Sequence, residues 1–215
     1  MPRILVFGAS ITLGAWDIKG GWVGRLKTFL AEKSLAHPDL DYRVYNLGVS
    51  GNTTEDLLAR FEFEAKQRIK EKEETIIIFL IGTNDSQFVI SKNNLRTLPD
   101  KFRENIQQLI YLAKKLTPKI LFVGLTPVDE SKTTPIPWNT DKIYKNENIQ
   151  KYNEIIKSVC KKNNIYFIDT FSTWIKSDYK KLLEDGLHPN LEGHREIFET
   201  VKKFLIQNKI VQLST

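Results

Sequence analysis

The stretch Thr75-Ile76-Ile77-Ile78-Phe79-Leu80-Ile81, followed directly by Gly82-Thr83-Asn84-Asp85, decides the fold of this chain. Its apolar residues follow one another without polar alternation, which is typical of a strand that is buried on both faces. Strands of this kind belong to parallel sheets that carry helices above and below. The stretch therefore predicts one strand of a parallel sheet, and it ends in polar residues.

Other apolar segments along the chain extend this prediction to five strands. They are Arg3–Gly8, Tyr42–Leu47, Thr75–Ile81, Lys119–Leu125 and Ile165–Asp169. Apolar residues recur at helical spacing between them, in segments 22–30, 102–113 and 149–159 and in a last helix from about Asn190 to Gln207. The alternation of strand and helix predicts right-handed βαβ crossovers. We expect an α/β fold: a three-layer α/β/α sandwich with a five-stranded parallel sheet, flavodoxin-like in outline, as a single domain over residues 1–215.

The longest stretch without a regular pattern is Thr126–Asn146, which contains Pro127, Pro135 and Pro137. A loop of this length in a compact domain is more often a functional lid than a plain connection. We expect it to shape the substrate pocket, with Trp138 and Tyr144 exposed on it as substrate-binding residues. Trp16, just after the first strand, is a further candidate for the pocket wall.

The composition excludes several classes of protein. The 215 residues carry a net charge of +6, but lysines are interspersed with glutamates, so no clustered basic face for nucleic acid is expected. No apolar segment approaches the ~20 residues that a membrane helix needs. The first strand begins almost at Met1, which predicts no secretion leader. The single cysteine, Cys160, excludes an internal disulfide and favours a reducing, cytoplasmic location.

Four polar motifs follow predicted strands, where parallel sheets place their ligand sites. They are Gly8-Ala9-Ser10, Asn46–Thr53, Gly82–Asp85 and Asp185-Gly186-Leu187-His188-Pro189-Asn190. An aspartate three residues before a histidine can bind one imidazole nitrogen and leave the other free to accept a proton. Ser10, Asp185 and His188 follow one of the chain orders found in serine hydrolases. Thr12 occupies the position of the second glycine of a Gly-x-Ser-x-Gly elbow, so that motif is absent.

Together, these motifs resemble the blocks of the SGNH hydrolases, also called the GDSL esterase/lipase family, over nearly the whole chain. In this resemblance, the functional positions of the family correspond to Ser10, Gly51 and Asn84 and to the pair Asp185 and His188. Gly51 is chosen over Gly48 because it precedes Asn52-Thr53. The resemblance implies the SGNH hydrolase fold and a serine esterase that acts on small-molecule carboxylic esters, without a cofactor.

The chemistry of acyl transfer assigns a role to each of these residues. Ser10 would be the nucleophile, His188 the base and Asp185 the residue that orients the imidazole. The backbone N–H groups of Ser10 and Gly51 and the side-chain amide of Asn84 would form the oxyanion hole. Gly51 fits that role because glycine allows close approach and a positive φ. The nature of the ester and the oligomeric state stay open.

One position departs from the family pattern, since Ala9 stands where the family usually has aspartate. In the family, that aspartate looks like a residue that supports the turn of the nucleophile. Its absence is therefore expected to affect the reaction rate and the rigidity of the turn more than the mechanism. The alternative is a catalytically weak or inactive binding protein of the same fold, in which Gly48–Thr53 cradles an anion. A metal site of Asp185, His188 and His194 is a further alternative, but a helix-surface position explains His194 more simply, and no metal is predicted.

Overall fold

The computed structural model describes residues 1–37 and 41–212. Its strands are β1 Arg3–Gly8, β2 Arg43–Gly48, β3 Thr75–Leu80, β4 Phe88–Val89, β5 Asn94–Leu95, β6 Lys119–Val123, β7 Lys142–Ile143 and β8 Tyr166–Ile168. Its α-helices are α1 Ser10–Leu13, α2 Gly21–Ala36, α3 Thr54–Lys66, α4 Pro99–Lys114, α5 Glu130–Thr133, α6 Asn146–Asn163, α7 Thr170–Trp174 and α8 Leu191–Gln207. Short 3₁₀ helices span Ile90–Lys92 and Tyr179–Leu182.

Five strands form a parallel sheet in the order β2-β1-β3-β6-β8. Alternate residues of each strand face opposite layers. Phe7 and Phe79 pack with α3, α4 and α6 on one face, whereas Val6 and Ile78 pack with α2 and α8 on the other. Every residue of β3 is buried. The predicted three-layer sandwich is therefore confirmed, and each predicted strand boundary lies within two residues of the observed one.

Helix α3 was not predicted, although the sequence carries a signal for its start. Thr53 and Asp56 form a capping box, in which each side chain accepts a hydrogen bond from the other residue's backbone N–H. Leu57, Phe61 and Ala65 form the buried face of the helix. The other four predicted helices are present, including the last one, which Asn190 caps through the N–H groups of Glu192 and Gly193.

The expectation of a long irregular loop over Thr126–Asn146 was wrong in part. The loop contains α5 and β7, and Asn146 is already the first residue of α6. Strand β7 pairs antiparallel with β4, which also pairs antiparallel with β5. These three short strands form a second sheet that the sequence pattern did not indicate, because strands of two residues carry no measurable periodicity.

The carboxyl edge of the large sheet gathers the polar motifs. Ser10 follows the end of β1 by two residues, Gly51 follows β2 and Asn84 follows β3. The Asp185–His188 segment precedes α8, which packs against the sheet beside α2. Within residues 1–37 and 41–212, no helix has both the length and the apolar character to cross a bilayer.

Candidate active site

Ser10 lies at the start of a tight strand-to-helix turn. A Cβ at Gly8 would lie 2.3 Å from the Leu80 carbonyl oxygen, so the turn can approach β3 this closely only with glycine there. Helix α1 begins at Ser10 and ends at Leu13, and its C-cap residue Gly14 adopts a φ of +94°. The serine side chain is thus held at the sheet edge by a backbone that has little freedom to move.

The segment Asp185–His188 forms a closed turn that fixes its own carboxylate. The backbone N–H groups of Leu187 and His188 donate to Asp185 Oδ1 at 2.9 and 2.8 Å. Gly186 permits this with a φ of +89°. On either side of the turn, Leu183 and Pro189 form an antiparallel bridge. The spacing of this motif therefore positions the acid and the imidazole locally, before any contact with Ser10 is made.

The structure brings Ser10, His188 and Asp185 into one hydrogen-bonded chain. His188 Nδ1 lies 2.7 Å from Asp185 Oδ2, and His188 Nε2 lies 2.9 Å from Ser10 Oγ. Because a carboxylate only accepts hydrogen bonds, Nδ1 carries the proton and Nε2 can accept one from the serine. A hydroxyl, an imidazole and a carboxylate in this arrangement can generate a nucleophilic oxygen at neutral pH.

Four donors surround the Asp185 carboxylate. Besides the two N–H groups on Oδ1 and the ring of His188, Trp16 Nε1 donates to Oδ2 at 2.9 Å. Burial acts to raise the pKa of Asp185, but the hydrogen bonds from His188 and Leu187 outweigh it, and this pKa lies well below its ordinary value. Asp185 is therefore ionised at neutral pH.

The contact of Trp16 with Asp185 was not predicted. Trp16 was expected at the pocket wall, and it does line the cleft beside Ser10, with 62% of its surface exposed. Trp16 and Asp185 are 169 positions apart in the sequence. The backbone of Trp16 is left-handed, with a φ of +65°. A non-glycine residue in that region is uncommon, and nothing in the local sequence indicated it.

Gly51 and Asn84 lie around the same cleft as Ser10 and His188. Gly51 adopts a φ of +80°, while a Cβ there would meet no atom within 4 Å, so conformation rather than space requires the glycine. Asn84 Nδ2 donates to the Asn52 carbonyl at 3.0 Å, and Asn84 Oδ1 accepts from the Tyr144 hydroxyl at 2.8 Å. One of the two Asn84 amide hydrogens thus has no partner within the described part of the chain.

Tyr144 lines the cleft, but it is buried and not exposed as was expected. Only 2% of its surface is accessible, and its hydroxyl accepts from Gln87 Nε2 at 2.6 Å while donating to Asn84. Burial raises the pKa of Tyr144 well above its ordinary value, so the phenol stays a donor. The expectation failed because β7 pairs with β4 and carries the tyrosine inward.

Trp138 is exposed, as expected, and lines the cleft. Its ring stacks on the imidazole of His188, with the two ring centroids 6.2 Å apart and an angle of 28° between the ring planes. The cleft itself has a volume of about 390 Å³. Its size and its aromatic and polar lining suit a small organic ligand.

Two other polar residues lie behind the site. Asp85 accepts hydrogen bonds from both the backbone N–H and the hydroxyl of Thr54, which connects the loop after β3 to the start of α3. Burial raises the pKa of Asp85 to about 6.

His194 is fully buried and not on the helix surface, which corrects the expectation. Its Nε2 faces the Ala15 carbonyl and its Nδ1 accepts from the Trp22 N–H, so it does not point toward Asp185 and His188.

The residues described contain no group of three or more histidine, cysteine, aspartate or glutamate side chains placed to hold a metal ion. Cys160 is buried, and burial raises the pKa of its thiol to about 12, so it packs in the core and is not poised as a nucleophile. Trp22 is likewise fully buried.

The model of the GDSL-like lipase/acylhydrolase family matches residues 6–196. Because this match covers most of the sequence, the chain belongs to that family. The predicted resemblance to GDSL hydrolases is thereby confirmed, and so is the prediction of a carboxylic ester hydrolase.

Individual relatives agree with this assignment. The chain is 27% identical over 165 residues to an acetylxylan esterase of Geobacillus stearothermophilus, covering 74% of this chain and 69% of the relative. It is 24% identical over 200 residues to the esterase TesA of Pseudomonas aeruginosa, covering 92% of this chain and 85% of the relative. The solved structure of a lipase/acylhydrolase from Enterococcus faecalis superposes with a TM-score of 0.75 at 23% identity over 100% of both chains, which shows the shared fold.

Proposed function

We propose that this chain is a single-domain serine esterase that cleaves small-molecule carboxylic esters through an acyl-enzyme on Ser10. The observation that carries the proposal is the chain of short contacts at the cleft. Asp185 Oδ2 lies 2.7 Å from His188 Nδ1, and His188 Nε2 lies 2.9 Å from Ser10 Oγ. These are hydrogen-bond distances with the tautomer that a general base needs.

Each residue would act in turn. Ser10 Oγ attacks the ester carbonyl while His188 Nε2 takes its proton, and the resulting imidazolium is stabilised by ionised Asp185. His188 then gives the proton to the leaving alkoxide, and the alcohol departs from the acyl-enzyme. A water molecule attacks the acyl-enzyme by the same route in reverse, which releases the carboxylic acid and restores Ser10.

The oxyanion of the tetrahedral intermediate would accept from the N–H groups of Ser10 and Gly51 and from the Asn84 amide. The positive φ of Gly51 and the unpartnered amide hydrogen of Asn84 support this assignment. Tyr144 would act through Asn84, because its hydroxyl donates to Oδ1 and so turns the amide nitrogen away from itself. It would therefore be a positioning residue and not a substrate contact.

Trp16 and Trp138 would contact the substrate on the exposed side of the cleft. Both rings are more than half exposed and line the same space as Ser10 and His188. Trp16 would also hold Asp185 through its indole N–H. One relative is named an acetylxylan esterase and another an arylesterase, so family membership does not define the ester. The walls of the cleft would select it.

The decisive experiment compares wild-type protein with Ser10→Ala. A fluorophosphonate probe should label the wild type and not the variant, and Ser10→Ala should lower kcat for an activated acetate ester by at least about 10³-fold. Ser158→Ala, the same change on helix α6 away from the cleft, should keep both labelling and turnover. EDTA should leave the wild-type rate unchanged. Loss of turnover in EDTA that a divalent ion restores would contradict the mechanism.

The second candidate is a weak or inactive binding protein of the same fold. The alanine at position 9, where the family usually has aspartate, is the observation that favours it. Folded wild-type protein that neither labels with the probe nor exceeds Ser10→Ala in turnover would support this candidate and reject the esterase.

A further inference from the structure

One wall of the cleft is formed by the small sheet of β5, β4 and β7. In this antiparallel sheet Phe88 pairs with both Leu95 and Ile143, and Val89 pairs with both Asn94 and Lys142. The ladder continues by one residue, since the Arg96 N–H donates to the Gln87 carbonyl at 2.7 Å. Gln87, Arg96 and Tyr144 therefore stand in one row across the sheet.

Side-chain alternation then decides which residues share a face. Residues two apart on a strand point the same way, and paired residues on neighbouring strands do so too. Gln87, Arg96, Tyr144 and Lys142 consequently point to one face, and all four line the cleft that contains Ser10. Gln87 donates a hydrogen bond to Tyr144, and Tyr144 donates one to Asn84. These two bonds connect this face of the small sheet to a residue of the proposed oxyanion hole.

Two of these four side chains are cations, and the acids around them are already engaged. Asp185 accepts from Trp16, His188 and Leu187. Asp56 lies 3.6 Å from Arg96, but this pair is about one third to one half exposed, so it is weak. Asp141, beside Lys142, accepts two hydrogen bonds from Ser91. Among the residues that line the cleft, this wall contributes two cations, Arg96 and Lys142, and no acid.

We propose that Arg96 and Lys142 form an anion subsite, so that the preferred ester of this enzyme carries a carboxylate. The inference rests on the proposed esterase activity at Ser10. A guanidinium and an ammonium on one face can hold a carboxylate by charge-assisted hydrogen bonds. The carboxylate can belong to the alcohol side of the ester or to its acyl side, and the two are distinguished by separate substrates.

The first arm of the test compares 4-acetoxybenzoate with 4-acetoxybenzamide, which differ in charge on the alcohol side. The second compares the 4-nitrophenyl monoester of adipic acid with 4-nitrophenyl hexanoate, which differ in charge on the acyl side. Each kcat/KM is divided by the rate with hydroxide alone. We expect a preference for the carboxylated ester on the order of tenfold in one arm, and this arm identifies the side that faces the cations.

The preference should depend on the two cations and on salt. Arg96→Gln combined with Lys142→Gln should lower the carboxylated-to-neutral ratio about tenfold, mainly by raising KM for the carboxylated ester, whereas Arg96→Lys should keep most of it. Higher salt should also reduce the ratio. Arg103→Gln and Lys151→Gln, which remove exposed charges of α4 and α6 outside the cleft, should leave the ratio unchanged. Thermal melting of every variant checks that it is folded.

Binding to the Ser10→Ala protein tests the subsite without turnover. Calorimetry uses the ester pair of the arm that shows the preference, or both pairs if neither does, and it should show tighter binding of the intact carboxylated ester than of its neutral partner. This difference should vanish when Arg96→Gln and Lys142→Gln are added. A wild type that hydrolyses both esters of each pair equally would overturn the subsite and leave the esterase intact. A protein that binds the carboxylated ester selectively yet never turns it over would instead reject the esterase. Equal binding of both ligands would overturn the subsite in either case.

Discussion

The carboxyl edge of the five-stranded sheet and the wall formed by the three-stranded sheet face each other across the cleft, and they are built in different ways. Ser10, Gly51 and Asn84 follow the ends of neighbouring strands, so short motifs place them. The wall joins β4 and β7, whose paired residues Phe88 and Ile143 are far apart in the chain. The edge supplies the groups that can carry out acyl transfer, and the wall supplies cations and the tyrosine that orients one of those groups.

The two regions meet at Asn84. From the edge, Asn84 Nδ2 donates to the Asn52 carbonyl, and from the wall, Tyr144 donates to Asn84 Oδ1. An amide oxygen that is occupied by a donor cannot face a developing anion, so the amide nitrogen must. In the proposed oxyanion hole, the wall would thus have an electrostatic role besides the contact with substrate that we propose.

Among changes that test how the edge and the wall cooperate, the largest effect is expected at Asn84. Asn84→Ala removes an oxyanion donor, and such a loss typically lowers kcat by about 10²–10³-fold while KM changes little. Asn84→Asp should be at least as severe, because it keeps the shape but places a carboxylate against the oxyanion. Steady-state kinetics and slow labelling of Ser10 by a fluorophosphonate measure both. Asn148→Ala on α6 is the matched control.

Thermal unfolding of the same preparations separates this role from a purely structural one. A destabilised Asn84→Ala protein with normal kcat per folded molecule would mean that Asn84 only shapes its turn. The edge would then supply nucleophile and base without this donor.

The effect of Tyr144→Phe should be smaller and should depend on Asn84. The ring stays buried, but Asn84 Oδ1 loses its donor, and we expect kcat to fall about tenfold with KM unchanged. Gln87 loses its acceptor as well, which should cost ~1–3 kcal/mol of unfolding free energy. Tyr111→Phe, on an exposed tyrosine of α4, is the matched control.

A double-mutant cycle sharpens this test. If Tyr144 acts only through Asn84, adding Tyr144→Phe to Asn84→Ala should cause no further loss of kcat. Additive losses would place Tyr144 in direct contact with the substrate, as the sequence had suggested.

The contrast between edge and wall also explains what the sequence could predict. Strand β3 and the motif from Asp185 to His188 depend on residues that are close in the chain, so pattern and spacing sufficed. Tyr144 was misplaced because its burial depends on the pairing of β7 with β4, and each strand has only two residues. His194 was misplaced because its helix face is covered by Trp22 and Ala15, nearly the whole chain away.

The smallest effect is expected at Ala9, on the edge itself. Ala9 is the N-cap of α1 and provides no side-chain hydrogen bond to the N–H groups of that helix. Aspartate is among the best N-cap residues, and the change from alanine is typically worth ~1 kcal/mol.

Ala9→Asp should therefore raise the melting temperature slightly and leave kcat/KM within about tenfold, which corresponds to about 1.4 kcal/mol of barrier. Only 9% of Ala9 is exposed, so part of the capping gain is offset by desolvation of the carboxylate. Ala9→Asn, which can cap without a charge, separates the two contributions. If Ala9→Asp instead turns a nearly inactive protein into an efficient esterase and Ala9→Asn does not, the missing charge is part of the catalytic machinery, and the edge of this chain lacks a group that its other motifs require.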